Sequence, residues 1–369
     1  MKIGQLTFHA SHNYGSVLQA FALSKILQKM GHESEFINLR PQSQKDIYKI
    51  IRPSNKGIRL IFKLVIYPLL KKRFNHFERF INHVLPITVR EYSSTEEMRQ
   101  YSFGYDAYVV GGDQIWNPVC IDFESAYYLQ FLSEDNQAKK VSYSPSLGKI
   151  DFDEHTQKLI AQWLKCFDSI SVREKRGAEL LQTLTDKKVD LVCDPVVLLD
   201  KKEWSKLAVK PKFKKPYILV YFLDNNHGSR DLTEYLRKIT GYEVVIFNEY
   251  LRDFFKPYYK AYSASPEEFV GLFMNASLIY TNSFHGTAFA TVFERPFITA
   301  IAPDQENARN NNDSRKIDYL NVLGLGDRLY TTGTPSKEYL LNVDFTEARK
   351  RREVLRKDSM DYLTNALNK

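Results

Sequence analysis

The chain has 369 residues, of which 43% are hydrophobic and 26% charged, and it carries a formal net charge of +8. This length exceeds one ordinary hydrophobic core and predicts two domains, while the hydrophobic fraction excludes a disordered chain. The positive charge favours an anionic partner, such as a phosphorylated substrate, a lipid surface or nucleic acid, without distinguishing among them.

The first half of the chain alternates short apolar runs with helical patterns, which is typical of βαβ units and a parallel sheet. We predict strands at residues 3–8, 35–39, 107–110, 140–143, 169–172 and 191–192, and helices at 16–30, 154–166 and 174–184. Together these elements predict a first Rossmann-like domain over residues 1–200.

A basic helical insertion interrupts this first domain between residues 42 and 90. Its segment 58–74 mixes large apolar residues with lysine and arginine, as do helices that lie on anionic membranes. Peripheral membrane contact through residues 58–74 is one hypothesis. The alternative is a helical pair packed on the first sheet, with a lysine-rich face in solvent.

Residues 201–215 are rich in lysine and interrupted by proline, as in an interdomain linker. A second Rossmann-like domain is predicted over residues 216–343. Its strands are predicted at 217–222, 243–247, 277–280 and 297–301, and its helices at 231–240, 266–275 and 287–293. Residues 344–369 have helical periodicity and dense charge. The predicted fold class is therefore α/β, with two Rossmann-like domains facing a cleft.

Cysteine usage and the N-terminus bear on localisation. Cys120, Cys166 and Cys193 form neither a C-x-x-C pair nor a disulfide framework, and the first residues lack the apolar core of a signal peptide. The longest apolar run, residues 60–70, contains Lys63 and is shorter than the roughly 20 residues that cross a membrane. We expect a cytoplasmic protein, with the inner face of the membrane as a possible location.

A polar cluster at residues 281–287 separates an apolar strand pattern from an apolar helix pattern. Such a cluster falls at the carboxyl end of a buried parallel strand, where α/β folds bind ligands. Amides at a helix start carry partial positive charge, so Gly286 and Thr287 could hold an anion beside His285, which could donate a proton. In the alternative interpretation, Ser283 only caps the helix and His285 is a satisfied polar residue.

Several separated segments in the same order resemble the polysaccharide pyruvyl transferases: residues 12–20, 111–118, 142–148, 171–174, 193–196 and 281–287. The resemblance implies transfer of the pyruvyl group of phosphoenolpyruvate to a sugar of a surface or capsular polysaccharide precursor, forming a ketal and releasing phosphate. It implies a GT-B-like fold, with the acceptor on the first domain, the donor on the second and residues 344–369 packed back on the first. Phosphoenolpyruvate would be a co-substrate, with no further cofactor, and the acceptor could be a lipid-linked oligosaccharide.

The donor carries a phosphate and a carboxylate, so its site needs a cation and several hydrogen-bond donors. Arg173 follows a predicted strand and is the leading cation; a surface ion pair with Glu174 or Asp168 is the alternative. The resemblance also implies an arginine two residues before the histidine of the helix-start motif, as in many members of the family, where this chain has Ser283. Arg315 is our candidate substitute, with Arg309 a weaker one. The predicted donor-binding residues are Arg173, Asn282, Ser283, Phe284, His285, Gly286, Thr287 and Arg315.

Two glycines and a carboxylate follow the predicted strand at 107–110. Glycine lets a substrate approach the backbone, and Asp113 can accept a proton from a sugar hydroxyl. An ordinary bend is the alternative for this turn. Stacking and hydrogen-bonding groups follow it, and a second polar turn precedes the first predicted helix. The predicted acceptor-binding residues are Asn13, Tyr14, Gly15, Gly112, Gln114, Trp116 and Asn117.

The predicted catalytic residues are His285, Asp113 and Arg173, acting as acid, as base and as the cation for the leaving phosphate. A GT-B glycosyltransferase that uses a nucleotide sugar and a noncatalytic carbohydrate-binding protein remain as alternatives. We predict no metal site, because no H-x-x-x-H or D-x-D cluster occurs near the candidate residues. We predict no nucleic-acid partner, because the basic segments lack an aromatic stacking motif.

Overall fold

A computed structural model describes residues 1–148, 150–212, 214–223, 230–302 and 313–368, without the side chains of 230 and 231. The chain divides into two compact units. The first contains Met1–Lys49, Glu78–Leu198 and Val354–Lys369, and the second contains Ile50–Phe77 and Leu199–Glu353.

The strands and helices alternate along most of the chain. The strands are β1 (Lys2–Leu6), β2 (Glu33–Leu39), β3 (Ile87–Tyr92), β4 (Ala107–Gly111), β5 (Lys139–Tyr143), β6 (Ile170–Val172), β7 (Val189–Leu191), β8 (Tyr217–Tyr221), β9 (Glu243–Ile246), β10 (Tyr259–Lys260), β11 (Leu278–Thr281), β12 (Phe297–Ala300) and β13 (Leu329–Tyr330). The helices are α1 (Tyr14–Lys29), α2 (Gln42–Ile47), α3 (Ile58–Val65), α4 (Tyr67–His83), α5 (Thr95–Met98), α6 (Glu154–Leu164), α7 (Lys175–Leu184), α8 (Pro195–Leu198), α9 (Lys201–Ser205), α10 (Arg230–Thr240), α11 (Leu251–Phe254), α12 (Pro266–Asn275), α13 (Phe284–Phe293), α14 (Ser314–Leu323), α15 (Lys337–Leu341) and α16 (Thr346–Asn368).

The first unit is built on a parallel sheet of order β3-β2-β1-β4-β5. Strands β6 and β7 form a second parallel pair, which a bridge between Val141 and Ser169 joins to β5. Every residue of β4 is buried, as expected for a parallel strand covered on both faces. The last part of α16 also belongs to this unit, where the Tyr362 hydroxyl donates to the Ser142 carbonyl at 2.8 Å.

The second unit has a parallel sheet of order β10-β9-β8-β11-β12-β13. Helix α13 is buried along its whole length, which explains its almost uniformly apolar sequence. Its Phe289 packs against Phe269 and Phe273 of α12. Parallel strands that alternate with helices in both units confirm the predicted α/β class.

The basic insertion differs from the prediction. Residues 50–77 belong to the second unit rather than to the first domain, because Phe62, Ile66 and Leu70 join the apolar cluster of β8. Packing of α3 and the first part of α4 on the first sheet is therefore wrong, whereas the end of α4, from Glu78 onward, belongs to the first unit, where Phe80 contacts Phe21 of α1. The end of the predicted insertion also overlaps a strand that the sequence did not reveal, β3, which pairs with β2.

The predicted linker is also packed rather than extended. Residues 201–205 form α9, where Trp204 is fully buried with its ring centroid 5.0 Å from that of Phe289. The Val209 amide donates to the Glu267 carbonyl at 3.0 Å. These contacts place the segment in the second unit.

Helix length bears on membrane topology. Among the residues that the structure describes, no helix combines the length and the apolar character needed to cross a bilayer.

The close approach of β4 and β5 makes Gly111 a test of this packing. A Cβ atom there would lie 1.9 Å from the Tyr143 carbonyl oxygen, so Gly111→Ala should lower the free energy of unfolding by about 3 kcal/mol. Gly104 has φ 61° and open space around a Cβ, so Gly104→Ala should cost only the left-handed strain, about 1 kcal/mol. Urea unfolding followed by circular dichroism measures both values, and equal losses would contradict the packing argument.

Candidate functional site

Asp113 is the centre of a polar cluster at the carboxyl edge of the first sheet. The Ser16 hydroxyl donates to one carboxylate oxygen, and the Gln114 amide donates to the other at 2.8 Å. The Ser146 amide donates to the Asp113 carbonyl at 2.7 Å. Asp113 has φ 53°, a left-handed conformation that costs energy in a residue other than glycine and often marks functional turns. The structure thus holds a partly exposed carboxylate in one orientation.

Arg173 follows β6 and forms a buried ion triad. Its side chain is 1% exposed, and its guanidinium donates to Asp194 at 2.5 Å and to Glu174 at 3.2 Å. Burial opposes the charge, but Asp194 and Glu174, with a smaller contribution from Asp113, outweigh it and raise the pKa of Arg173. The predicted direct contact between Arg173 and a leaving phosphate is corrected: two carboxylates already surround this cation. Its pairing with Glu174 is buried, not on the surface.

Trp116 is wrong as an acceptor-stacking residue. Its side chain is fully buried, its ring stacks on Tyr128 at 4.9 Å between centroids, and its indole N–H donates to the Tyr127 carbonyl at 2.8 Å. A buried indole needs one hydrogen-bond acceptor, and the Tyr127 carbonyl supplies it. Asn117 is also buried and donates to the Gln114 side chain at 3.3 Å. These residues support the turn that carries Asp113.

The loop before α1 is a helix cap. The Asn13 side chain accepts from the Gly15 amide at 2.9 Å, and Tyr14 and Gly15 are buried in the first turn of the helix. The same turn carries Ser16, the partner of Asp113. Two of the predicted acceptor segments, the helix start and the Gly112–Asp113 turn, are therefore adjacent.

Beside this loop lies a charged cluster that the sequence did not reveal. The Glu78 carboxylate accepts from Arg40 at 2.6 and 3.1 Å and pairs with His12 at 2.7 Å. Burial opposes ionisation of Glu78, but these hydrogen bonds outweigh it and lower its pKa to about 2. Residues 40 and 78 are far apart in sequence and carry no motif, so only the fold identifies the cluster.

In the second unit, Ser283 is the N-cap of α13. Its hydroxyl accepts from the Gly286 amide at 3.3 Å, and its carbonyl accepts from the Thr287 amide at 2.9 Å. The prediction that these two amides are open to an anion is thus corrected, because both already donate to Ser283. In the structure Ser283 caps the helix, as in the alternative interpretation of the sequence.

The rest of the motif is buried around this cap. A Cβ atom at Gly286 would lie 2.5 Å from the Thr281 hydroxyl, so the close approach of helix and strand requires glycine. The Asn282 side chain accepts from the Leu223 amide at 2.8 Å, which links the ends of β8 and β11. His285, 8% exposed, lies in the first turn of α13 with its ring 5.4 Å from that of Phe284.

Lys316 is a buried cation that the sequence analysis missed. Its ammonium is 2.5 Å from Asp313 and donates to the carbonyls of Asn282 at 2.8 Å and Ala300 at 3.0 Å. It therefore joins the ends of β11 and β12. The Asp-x-x-Lys spacing at the start of α14 was the available signal, although the same spacing is common on exposed helices.

Arg315, the substitute proposed for the arginine replaced by Ser283, lies next to the motif. Its guanidinium carbon is 6.0 Å from the centroid of the Phe284 ring, and the residue is 9% exposed. Arg309 lies outside the described residues. Within the described ranges, no group of three or more His, Cys, Asp and Glu side chains could hold a metal ion.

A family model described as polysaccharide pyruvyl transferase matches residues 13–305 of the chain. No curated protein matches the chain. Solved structures with a similar arrangement include the UDP-GlcNAc 2-epimerase of Methanocaldococcus jannaschii in complex with UDP-GlcNAc and UDP, at 13% identity over 97% of this chain and 99% of that chain, with a TM-score of 0.47. The MnaA–UDP structure from S. aureus is 14% identical over 98% and 91% of the two chains, with a TM-score of 0.45. Likeness at this level indicates nothing about what this chain binds.

Trp116→Ala tests the structural role of the indole. Loss of a fully buried tryptophan should lower the free energy of unfolding by about 3–5 kcal/mol. Urea unfolding provides the measurement, and Val119→Ala, at an exposed position of the same turn, is the control. A Trp116→Ala protein that unfolds like the wild type but binds acceptor weakly would restore the stacking role.

Glu78 should make the free energy of unfolding depend on pH in the acid range. Since its pKa is lowered from 4.5 to about 2 in the folded chain, its stabilisation is present above pH 4.5 and is lost as the pH falls towards 2. The difference in unfolding free energy between wild type and Glu78→Gln should therefore shrink over this range. Glu33→Gln, at an exposed position, serves as the control. A difference that stays constant with pH would refute the ion cluster.

Proposed function

We propose, because this chain belongs to the polysaccharide pyruvyl transferase family, that it transfers the pyruvyl group of phosphoenolpyruvate to a sugar hydroxyl pair and forms a cyclic ketal. The acceptor is a sugar of a surface or capsular polysaccharide precursor, carried as a lipid-linked oligosaccharide. Phosphoenolpyruvate is the co-substrate, and inorganic phosphate is the second product.

One observation carries this proposal. The family match begins at Asn13 and ends after β12, so it includes the turn of Asp113, the triad of Arg173 and the helix start of His285. The polar cluster around Asp113 in the first unit and the helix start with His285 in the second unit therefore both fall within the matched range. Arg315 lies beyond it, so a donor-binding role for Arg315 rests on its position beside Phe284 alone.

We assign Asp113 as the general base that accepts a proton from the acceptor sugar. A sugar hydroxyl oxygen forms a bond to the central carbon of phosphoenolpyruvate, and its proton passes to the Asp113 carboxylate. The donor methylene gains a proton from His285 and becomes a methyl group, and the bond between the central carbon and the phosphate oxygen breaks. The oxygen of a second sugar hydroxyl then bonds to the same carbon and closes the ketal, and the departing phosphate takes up the proton of that hydroxyl. Ser16 supports this role by holding the carboxylate through a hydrogen bond.

His285 is assigned to the donor as general acid. It lies in the first turn of α13, where the helix dipole favours negative charge nearby even though the Gly286 and Thr287 amides themselves donate to Ser283. Arg315 supplies the nearby formal charge, since its guanidinium carbon is 6.0 Å from the centroid of the Phe284 ring. Arg173 acts as a positioning residue that holds Asp194 and Glu174 at the carboxyl end of β6.

His285→Asn and Asp113→Asn test these assignments separately. Each should lower phosphate release from phosphoenolpyruvate in the presence of acceptor by at least about 100-fold, because each removes a proton-transfer group. A coupled phosphate assay with a lipid-linked oligosaccharide acceptor provides the rate. His155→Asn and Asp151→Asn, both at exposed positions, should leave it unchanged.

Thermal unfolding separates a lost reaction from a lost fold. Both variants should unfold within a few degrees of the wild type, and phosphoenolpyruvate should stabilise the wild type. Phosphate release at the wild-type rate by His285→Asn would remove this residue from the mechanism. Stabilisation by a nucleotide sugar, without any effect of phosphoenolpyruvate, would contradict the proposed donor.

A further inference from the structure

Helix α3 and the start of α4 expose an unusual amount of apolar surface in the second unit. Ile58, Ile61, Leu64 and Val65 are each more than half exposed, and Leu69 is 40% exposed. At 3.6 residues per turn, the four residues of α3 fall within an arc of about 120°, so they form one stripe along the helix. We refer to Ile58, Ile61, Leu64, Val65 and Leu69 as the apolar stripe. Phe62, about 100° around the helix from the middle of the stripe, anchors α3 in the core.

The segment that carries the apolar stripe is uniformly basic. Residues 50–77 contain no aspartate or glutamate, and their lysine and arginine residues are Arg52, Lys56, Arg59, Lys63, Lys71, Lys72 and Arg73. Glu249 pairs with Lys63 at 2.5 Å and with Arg73, which balances part of this charge. Arg52, Lys56, Arg59, Lys71 and Lys72 are exposed and form no ion pair among the described residues.

Positive charge continues from α4 onto a neighbouring cavity. Lys72, Lys210, Lys212 and Lys260 line a space of about 190 Å³ in the same unit. Among its described lining residues the acid is Glu268, whose carboxylate accepts from the Ser265 amide at 2.8 Å within a helix cap. The cationic surface is therefore wider than the helices themselves. We refer to Lys71, Lys72, Lys210 and Lys212 as the cationic rim.

We propose that the apolar stripe and the cationic rim form a docking surface for an anionic lipid bilayer. Exposed apolar side chains on a short helix favour the boundary between headgroups and acyl chains, and lysine and arginine beside them bind anionic headgroups. A segment without any carboxylate matches a uniformly negative surface. A protein partner is the less suitable occupant, because it would have to supply a large surface without positive charge.

This surface would hold the protein where lipid-linked substrates are found, but docking does not depend on the proposed reaction. Bilayer binding is measured without donor or acceptor, so it can fail while phosphate release succeeds, and the reverse also holds.

Vesicle co-sedimentation with the full chain tests the proposal. The protein should sediment with vesicles that contain one-third phosphatidylglycerol, and not with vesicles of phosphatidylcholine alone. Binding should weaken as salt is added, because counterions screen the rim. Equal binding to both vesicles, or to neither, overturns the proposal.

Two triple variants separate the contributions of charge and apolar contact. Lys71→Gln, Lys72→Gln and Lys210→Gln together should weaken the partition coefficient about 100-fold, since each cation near an anionic surface contributes about fivefold. Ile61→Gln, Leu64→Gln and Val65→Gln together should weaken it at least about tenfold, because they remove the groups that enter the bilayer. All six positions lie outside the residues assigned to the reaction, so phosphate release from a soluble acceptor should not change.

Matched controls remove the same numbers of cationic and apolar side chains from surfaces outside the apolar stripe and the cationic rim. Lys201→Gln, Lys202→Gln and Lys214→Gln together remove three exposed cations, and Val89→Gln, Val322→Gln and Val354→Gln remove three exposed apolar side chains. Each control should change binding by less than about threefold. If the lysine control lost as much binding as the rim variant, the effect would depend only on net charge, and the proposal would be overturned. A wild-type dimer that the stripe variant dissociates, without vesicle binding, would instead identify a second copy as the occupant.

Discussion

Neighbouring strands run in the same direction within each sheet, so their last residues end at one edge. Backbone groups beyond that edge lose their ladder partners and need others. In the first unit the turn after β4, with Asp113 at its centre, meets this need, and in the second unit the cap formed by Ser283 does so. The candidate site residues therefore belong first to networks that close the strand ends, and ligand chemistry depends on those networks.

Buried cations show how strongly these networks are coupled. Arg173 lies between two carboxylates, and Lys316 lies between one carboxylate and two carbonyls. Removal of one partner of a buried pair leaves an uncompensated charge, which costs far more than loss of an exposed ion pair. Both cations therefore hold loops in place around Asp113 and His285 rather than meeting a ligand as isolated charges.

The sequence predicted the location of the candidate residues better than their roles. Polar residues after apolar strands identified the turn of Asp113 and the start of α13, because strand ends and helix starts have local signatures. Trp116 was assigned to a ligand because its motif does not reveal the direction of the ring, which packs on Tyr128. Residues 50–77 were assigned to the first domain because chain order does not reveal which core an apolar helix joins. The cleft between the domains stays a prediction.

The amino-acid sequence alone determined the α/β class, most strands and helices, the family resemblance and the basic, apolar character of residues 58–74. These properties depend on the spacing of residues that are close in the chain. The tertiary structure decided which groups are already satisfied: the amides of Gly286 and Thr287 by Ser283, Arg173 by Asp194 and Glu174, and Glu78 by Arg40 and His12. The physical reason is that burial and pairing depend on partners far away in sequence, which only the folded chain brings within hydrogen-bonding distance.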